Sequence, residues 1–160
     1  MVLGMSLSDA YNIIVIDMVN ARVGAQRELI GLLKHRGYET SRSSDSRGVA
    51  DIVAAKVGPS EAGNRKFMIQ VRATADEMQR VAKTAIRDLK ESAGQFQSTP
   101  VFAIRFCGER WRFWSDEQEG LDAHAIWLSR SSAETLLDSQ TSYVGLDVTS
   151  RSGRTLEQVF

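Results

Sequence analysis

The chain has 160 residues, 42% hydrophobic and 25% charged, enough apolar material for one well-formed core and too little for two large ones. Its 20 Lys and Arg balance 20 Asp and Glu, which argues against a uniformly basic nucleic-acid protein, and a single cysteine, Cys107, excludes an internal disulfide and a cysteine-built zinc site. The charge is nevertheless uneven: residues 22–112 carry 17 Lys and Arg against 10 Asp and Glu, and residues 113–160 carry 3 against 8, so a basic middle able to meet a polyanion precedes an acidic tail.

In chain order, YNIIVID (residues 11–17) is a short apolar run with no basic residues before it. It supports neither a signal peptide nor a membrane span, so the protein is expected in the cytoplasm. Residues 1–19 are expected to form an arm or an added strand ahead of a single domain over residues 20–160. From Asn20 to Arg36 the pattern is helical: Asn20 can cap, Leu29, Ile30 and Leu33 share a face, Lys34, His35 and Arg36 suit the negative end, and Gly37 stops it. YETSRS predicts a first strand leading to the polar loop SSDSRGV. ADIVAAK, almost continuously apolar, predicts a strand covered on both faces. GPSEAGN is a turn, and KFMIQVR a strand in which Gln70 and Arg72 point the same way, opposite to Phe67, Ile69 and Val71.

The spacing of Met78, Val81, Ala82, Ala85, Ile86, Leu89 and Ala93 predicts a helix over 76–93, with Arg80 on its other face. VFAIRF and WRFW then read as strands about the turn CGER. Trp111, Phe113 and Trp114 could stack on bases, although aromatic residues in a strand more often belong to a core. DEQEGLDAH is an acidic loop, AIWL a short strand, and Ser131 with Glu134 a capping box for the helix SAETLLDSQ. YVGLDVT is a further strand, and SGRTLEQVF a turn with a short helix. A helix between KFMIQVR and VFAIRF implies a crossover to a parallel neighbour, so the class is α/β.

Chemistry is expected where apolar strands end in polar residues at a sheet margin: Asp51 on one strand and Gln70, Val71 and Arg72 on the next. Glu28, on the first helix, is an acid that by itself reads as solvated.

The order of an RELI helix, a short strand reaching a Ser-rich loop, a DIV strand, an apolar strand ending in a three-residue polar motif, an amphipathic helix and PVFAIRF followed by WRFW resembles the archaeal Holliday-junction resolvases of the PD-(D/E)XK nuclease superfamily. The resemblance covers about residues 20–114, the closing VTSRSGRTLEQVF is similar to the family's last strand and helix, and residues 115–143 look like an insertion. It implies a restriction-endonuclease-like mixed β-sheet flanked by helices. It also implies a site in which Glu28, Asp51 and the glutamate of an E-x-K triplet hold Mg2+ or Mn2+ beside a lysine, with Ser43, Ser44, Ser46 and Arg47 in the loop near the scissile phosphate. Here Gln70 stands at the glutamate position and Arg72 at the lysine position. A neutral amide oxygen is a poorer ligand for Mg2+ than a carboxylate, and arginine grips phosphate well but does not give up a proton near neutral pH.

The resemblance thus implies a homodimer that binds branched DNA, four-way junctions above all, through a degenerate nuclease site, with Arg42, Arg47, Lys66, Arg72 and Arg80 on phosphates and Phe102, Ile104, Phe106, Trp111 and Phe113 in the dimer interface. One alternative is a working metal-dependent junction endonuclease, with Asp51, Glu28 and the carbonyls of Gln70 and Val71 as ligands. Another is a non-catalytic subunit for a paralogous nuclease or a helicase, docking through the acidic insertion.

Overall fold

Helix α1 (Leu7–His35) begins where Ser6 accepts the N–H of Asp9 and Asp9 accepts that of Ser6, a reciprocal cap that satisfies two otherwise unpaired donors. The structure, a computed structural model, describes residues 6–43, 48–60, 63–115, 126–127, 143–148 and 153–160. The added strand expected over YNIIVID is corrected: the segment is helical and runs unbroken into the helix expected from Asn20. An apolar run of that length has no period that separates strand from helix, and the cap just upstream decides it. The other end behaves as expected. Gly37, at φ +86°, lets its own N–H reach the Lys34 carbonyl and the Tyr38 N–H reach that of Leu33.

There follow β1 (Glu39–Arg42), β2 (Ile52–Lys56), β3 (Arg65–Ala73), β4 (Met78–Ala82), α2 (Lys83–Gln95), β5 (Thr99–Phe106), β6 (Arg110–Ser115), β7 (Ile126–Trp127), β8 (Tyr143–Asp147) and α3 (Leu156–Val159). The main sheet has the order β1-β2-β3-β5-β6. Its one parallel pair is β3 with β5, from Phe67 opposite Thr99 to Ala73 opposite Arg105, and α2 lies in the connection between them. The fold is the α/β class expected, a mixed sheet flanked by helices.

Alternation along β3 divides the core in two. Phe67, Ile69 and Val71 face Ala25, Leu29 and Leu33 of α1, with Phe113 and Val159 in the same cluster. Met68 joins Phe102, Ile104, Phe106 and Trp114 against Ile86, Leu89 and Ala93 of α2. Both faces of β5 and β6 are therefore covered from within the chain. Phe102, Ile104, Phe106 and Phe113 are at most 2% exposed, so the dimer interface expected from them is corrected, and Trp111 is half-buried against Phe113. Strand β2 is covered on one face only: Ile52 and Ala54 are buried while Val53 borders an open groove.

The helix expected over 76–93 starts only at Lys83. Residues 78–82 form β4, paired antiparallel with β8 from Met78 opposite Asp147 to Ala82 opposite Tyr143, and β7 lies on the far side of β8. Met78, Val81 and Ala82 carry helical spacing, but a partner from far along the chain overrides it. Arg80 is thus a strand residue. DEQEGLD and SAETLLDSQ lie outside the described residues.

Helix α2 ends in the same motif as α1, with Gln97 at φ +50° in the position that favours glycine; its N–H reaches the Gly94 carbonyl, and that of Ser98 reaches Ala93. Gln97 is exposed and its side chain has no packing to lose. Gln97→Gly is expected to stabilise the fold by about 0.5–1 kcal/mol, a rise in Tm of about 1–4 °C readable by calorimetry. An unchanged or lower Tm would show that the left-handed residue carries no strain.

Candidate functional site

The β2–β3 ladder ends at Ile52 opposite Ile69, and beyond it β3 continues paired with β5 alone. Asp51 stands at this fork. Its N–H donates to the Ile69 carbonyl at 2.8 Å and its carbonyl accepts from the Ser43 N–H at 3.0 Å. Its carboxylate Oδ2 accepts the Val71 N–H at 2.8 Å, so the side chain supplies the rung that the departing strand leaves out. The other oxygen, Oδ1, accepts from Arg22 Nη2 at 2.7 Å. Asp51 is 11% exposed and Arg22 38%, an ion pair sheltered at the carboxylate and open to solvent at the arginine.

Arg22 comes from α1, one turn before the Ala25, Leu29 and Leu33 stripe that lies on the sheet. Its spacing of three residues from Ala25 puts it on the sheet-facing side, and its length carries the guanidinium out to the fork. The sequence reading did not single it out, although the buried stripe extended by one turn points to it.

Gln70 and Arg72 share the opposite face of β3 from Val71, as the alternation predicts, and lie across from Phe102 and Ile104. Gln70 is 5% exposed, and its Oε1 meets no hydrogen-bond partner among the described residues; the same holds for the buried Nε atoms of Arg72 and Arg22. Burial pushes the Arg72 guanidinium below its ordinary pKa, the nearby positive charge of Arg22 adds to this, and Asp51 opposes it. An arginine starts so high that Arg72 stays charged at neutral pH. Among the described residues the fork therefore gathers one carboxylate and two guanidinium groups, a formal excess of one positive charge.

Among the described residues these donors are a poor set for a divalent metal ion. Mg2+ seeks several hard, mostly anionic oxygens, and no three His, Cys, Asp or Glu side chains converge among the described residues. The one carboxylate among the described residues of the fork already accepts two N–H groups, and Gln70 and Val71 could add only neutral oxygens. Glu28 does not join Asp51. Its Oε1 accepts from Trp111 Nε1 at 3.1 Å and its Oε2 pairs with Arg105 Nε at 3.0 Å, on the β5–β6 side of the sheet. The helix turn that faces the fork is occupied by Arg22 instead.

Of the cations expected on phosphates, Arg42 and Lys66 border an open groove of about 800 Å³ between β1–β3 and α2, together with Ser43, Val53, Asp88, Glu91 and Phe96. Lys66 Nζ donates to the Phe96 carbonyl at 3.3 Å and lies 5.8 Å from its ring centre. Ser43 connects this groove to Asp51 through its N–H. Arg72 belongs to the fork. Arg80 is exposed on the second sheet, and Ser44, Ser46 and Arg47 lie outside the described residues.

A family model described as archaeal Holliday junction resolvase (Hjc) matches residues 19–136. Among solved structures, that of Archaeoglobus fulgidus Hjc, a Holliday junction resolvase from an archaeal hyperthermophile, is similar with a TM-score of 0.61, at 16% sequence identity, over 86% of this chain and 93% of that one. At that identity the likeness carries the fold.

Proposed function

The chain belongs to the archaeal Holliday junction resolvase family, and from that premise we propose that it binds four-way DNA junctions through a fork arranged to grip phosphate rather than to cut it. The observation that supports this reading is the state of Asp51: its carboxylate is held by Arg22 and Val71, with Gln70 and Arg72 standing where cleavage would call for an acid and a lysine. Two copies would match the near two-fold symmetry of a junction. Phosphate contacts by Arg42, Lys66 and Arg72 release counterions, so affinity falls steeply with salt.

The test is competition for a labelled four-way junction against excess linear duplex, at two salt concentrations and without divalent metal. Strong junction preference with a steep salt slope is expected; binding without preference would overturn the reading.

One observation favours a second reading, a metal-dependent junction endonuclease. Gln70 Oε1 is buried and unpaired, an oxygen that a cation could use. That reading requires paired nicks across the junction, abolished by Asp51→Asn. Our reading expects junctions to stay intact at stoichiometric protein with Mg2+ or Mn2+, and nicking to appear only when Gln70→Glu is combined with Arg72→Lys.

A further inference from the structure

We propose that Arg22 is the resident cation of this fork: tethered to Asp51 where a dissociable ion would otherwise sit, it forms with Arg72 a metal-independent clamp for one DNA phosphate. The inference rests on the junction-binding reading and adds the ligand and the way it is held.

Charge and donor supply lead to it. A guanidinium carries five N–H donors, so Arg22 and Arg72 together bring ten. Asp51 takes one contact from Arg22 through Oδ1, and its Oδ2 accepts the Val71 N–H. The buried Nε of each arginine has no partner among the described residues. Donors are therefore in surplus, and so is positive charge. Two like charges this close to one carboxylate repel a third cation and attract a second anion.

Shape and position narrow the class of anion. More than a third of the Arg22 side chain remains open, at 38% exposure, so a ligand can reach it from solvent while Asp51 fixes its other edge. A tetrahedral anion with two free oxygens suits a pair of planar forks better than a halide does, because each fork can give two parallel hydrogen bonds. Asp51 joins through Ser43 to the groove bordered by Arg42 and Lys66, the next cations along the surface, with Asp88 and Glu91 on the groove's α2 side. Gln70, 5% exposed and with an Oε1 unpaired among the described residues, lies beside Arg72 on the same face of β3. Its neutrality matters, since a carboxylate there would cancel the surplus charge that draws the phosphate.

The experiment compares junction binding by the full-length protein and by Arg22→Gln and Arg22→Lys, each in EDTA and in Mg2+ at matched ionic strength. Unaltered protein is expected to bind equally with and without metal, within about twofold. Arg22→Gln should bind about tenfold more weakly in EDTA, with a log–log salt slope reduced by about one. Arg22→Lys, which keeps the charge but not the fork, should recover part of the loss. Inorganic phosphate should displace the junction more effectively than chloride at equal ionic strength, but only in large excess; release of the junction at low phosphate would make the ligand a free anion and overturn the assignment to DNA. Equal binding by Arg22→Gln in EDTA would also overturn it.

A titration of Mn2+ alone into the unaltered protein and into Asp51→Asn keeps the proposal open to refutation even if the arginine variants fail to fold. No heat that depends on Asp51 is expected. Mn2+ binding lost in Asp51→Asn would show that Arg22 does not hold off the ion. Equal affinity for junction and duplex would defeat the junction reading while the Arg22 comparison, run on either DNA, still decided the clamp.

Discussion

Asp51→Ala is expected to destabilise the fold by about 3 kcal/mol, the low end of the range for removing one partner of a buried ion pair, because Arg22 is 38% exposed. Three losses coincide. The Val71 N–H, at 2.8 Å from Oδ2, is left without an acceptor where β2 and β3 part. Arg22 loses its 2.7 Å partner, and Arg72, already disfavoured by the positive charge of Arg22, loses the negative charge that opposes it. For a chain of this length about 2–4 °C accompany each kcal/mol, so the fall in Tm should be on the order of 10 °C, with junction affinity reduced in the protein that remains folded. Asp51→Asn should be milder in stability, because its amide oxygen can still accept from Val71. A fall of under about 1 kcal/mol for Asp51→Ala would mean that the carboxylate does not hold the fork together.

Phe113→Ala is expected to be at least as costly, about 3–5 kcal/mol, for an unrelated reason. Phe113 is fully buried on β6, stacked on Trp111 at 5.8 Å and 12° and edge-on to Phe160 at 5.3 Å, with Tyr38 and Phe67 completing the aromatic cluster. Its backbone exchanges two 2.9 Å hydrogen bonds with Arg154, which draw the closing segment and α3 onto the sheet. Removing the ring opens a cavity beneath that segment and unseats Trp111, which orients Glu28. None of these contacts touches Asp51. Urea unfolding should therefore show the full loss while junction affinity, measured where the variant is folded, stays within about twofold. A parallel loss of affinity would tie the aromatic cluster to the fork and contradict the separation described here.

Local pattern explains which parts could be read in advance. The strands KFMIQVR, VFAIRF and WRFW, the Gly37 stop and the parallel β3–β5 pairing follow from alternation, glycine chemistry and the helix between strands, all properties of neighbouring residues. Strand β4 could not be read that way, because Met78, Val81 and Ala82 suit a helix face and only β8 makes them a strand. The site divides similarly. Asp51, Gln70 and Arg72 were visible as polar ends of apolar strands, whereas Arg22 was hidden because its role depends on where α1 crosses the sheet. Glu28 was misplaced by analogy alone: its helix face turns towards Trp111 and Arg105.

The rung that Asp51 adds to the ladder has a consequence for how such a protein can change over time. A catalytic ligand is ordinarily free to drift once its reaction is no longer selected, but this carboxylate also closes the backbone of β3 and neutralises a helix arginine. Selection for folding alone would retain it. That an aspartate is retained here is thus a poor witness to present-day cleavage, and the more informative positions are Gln70 and Arg72, whose side chains add no rung to the ladder.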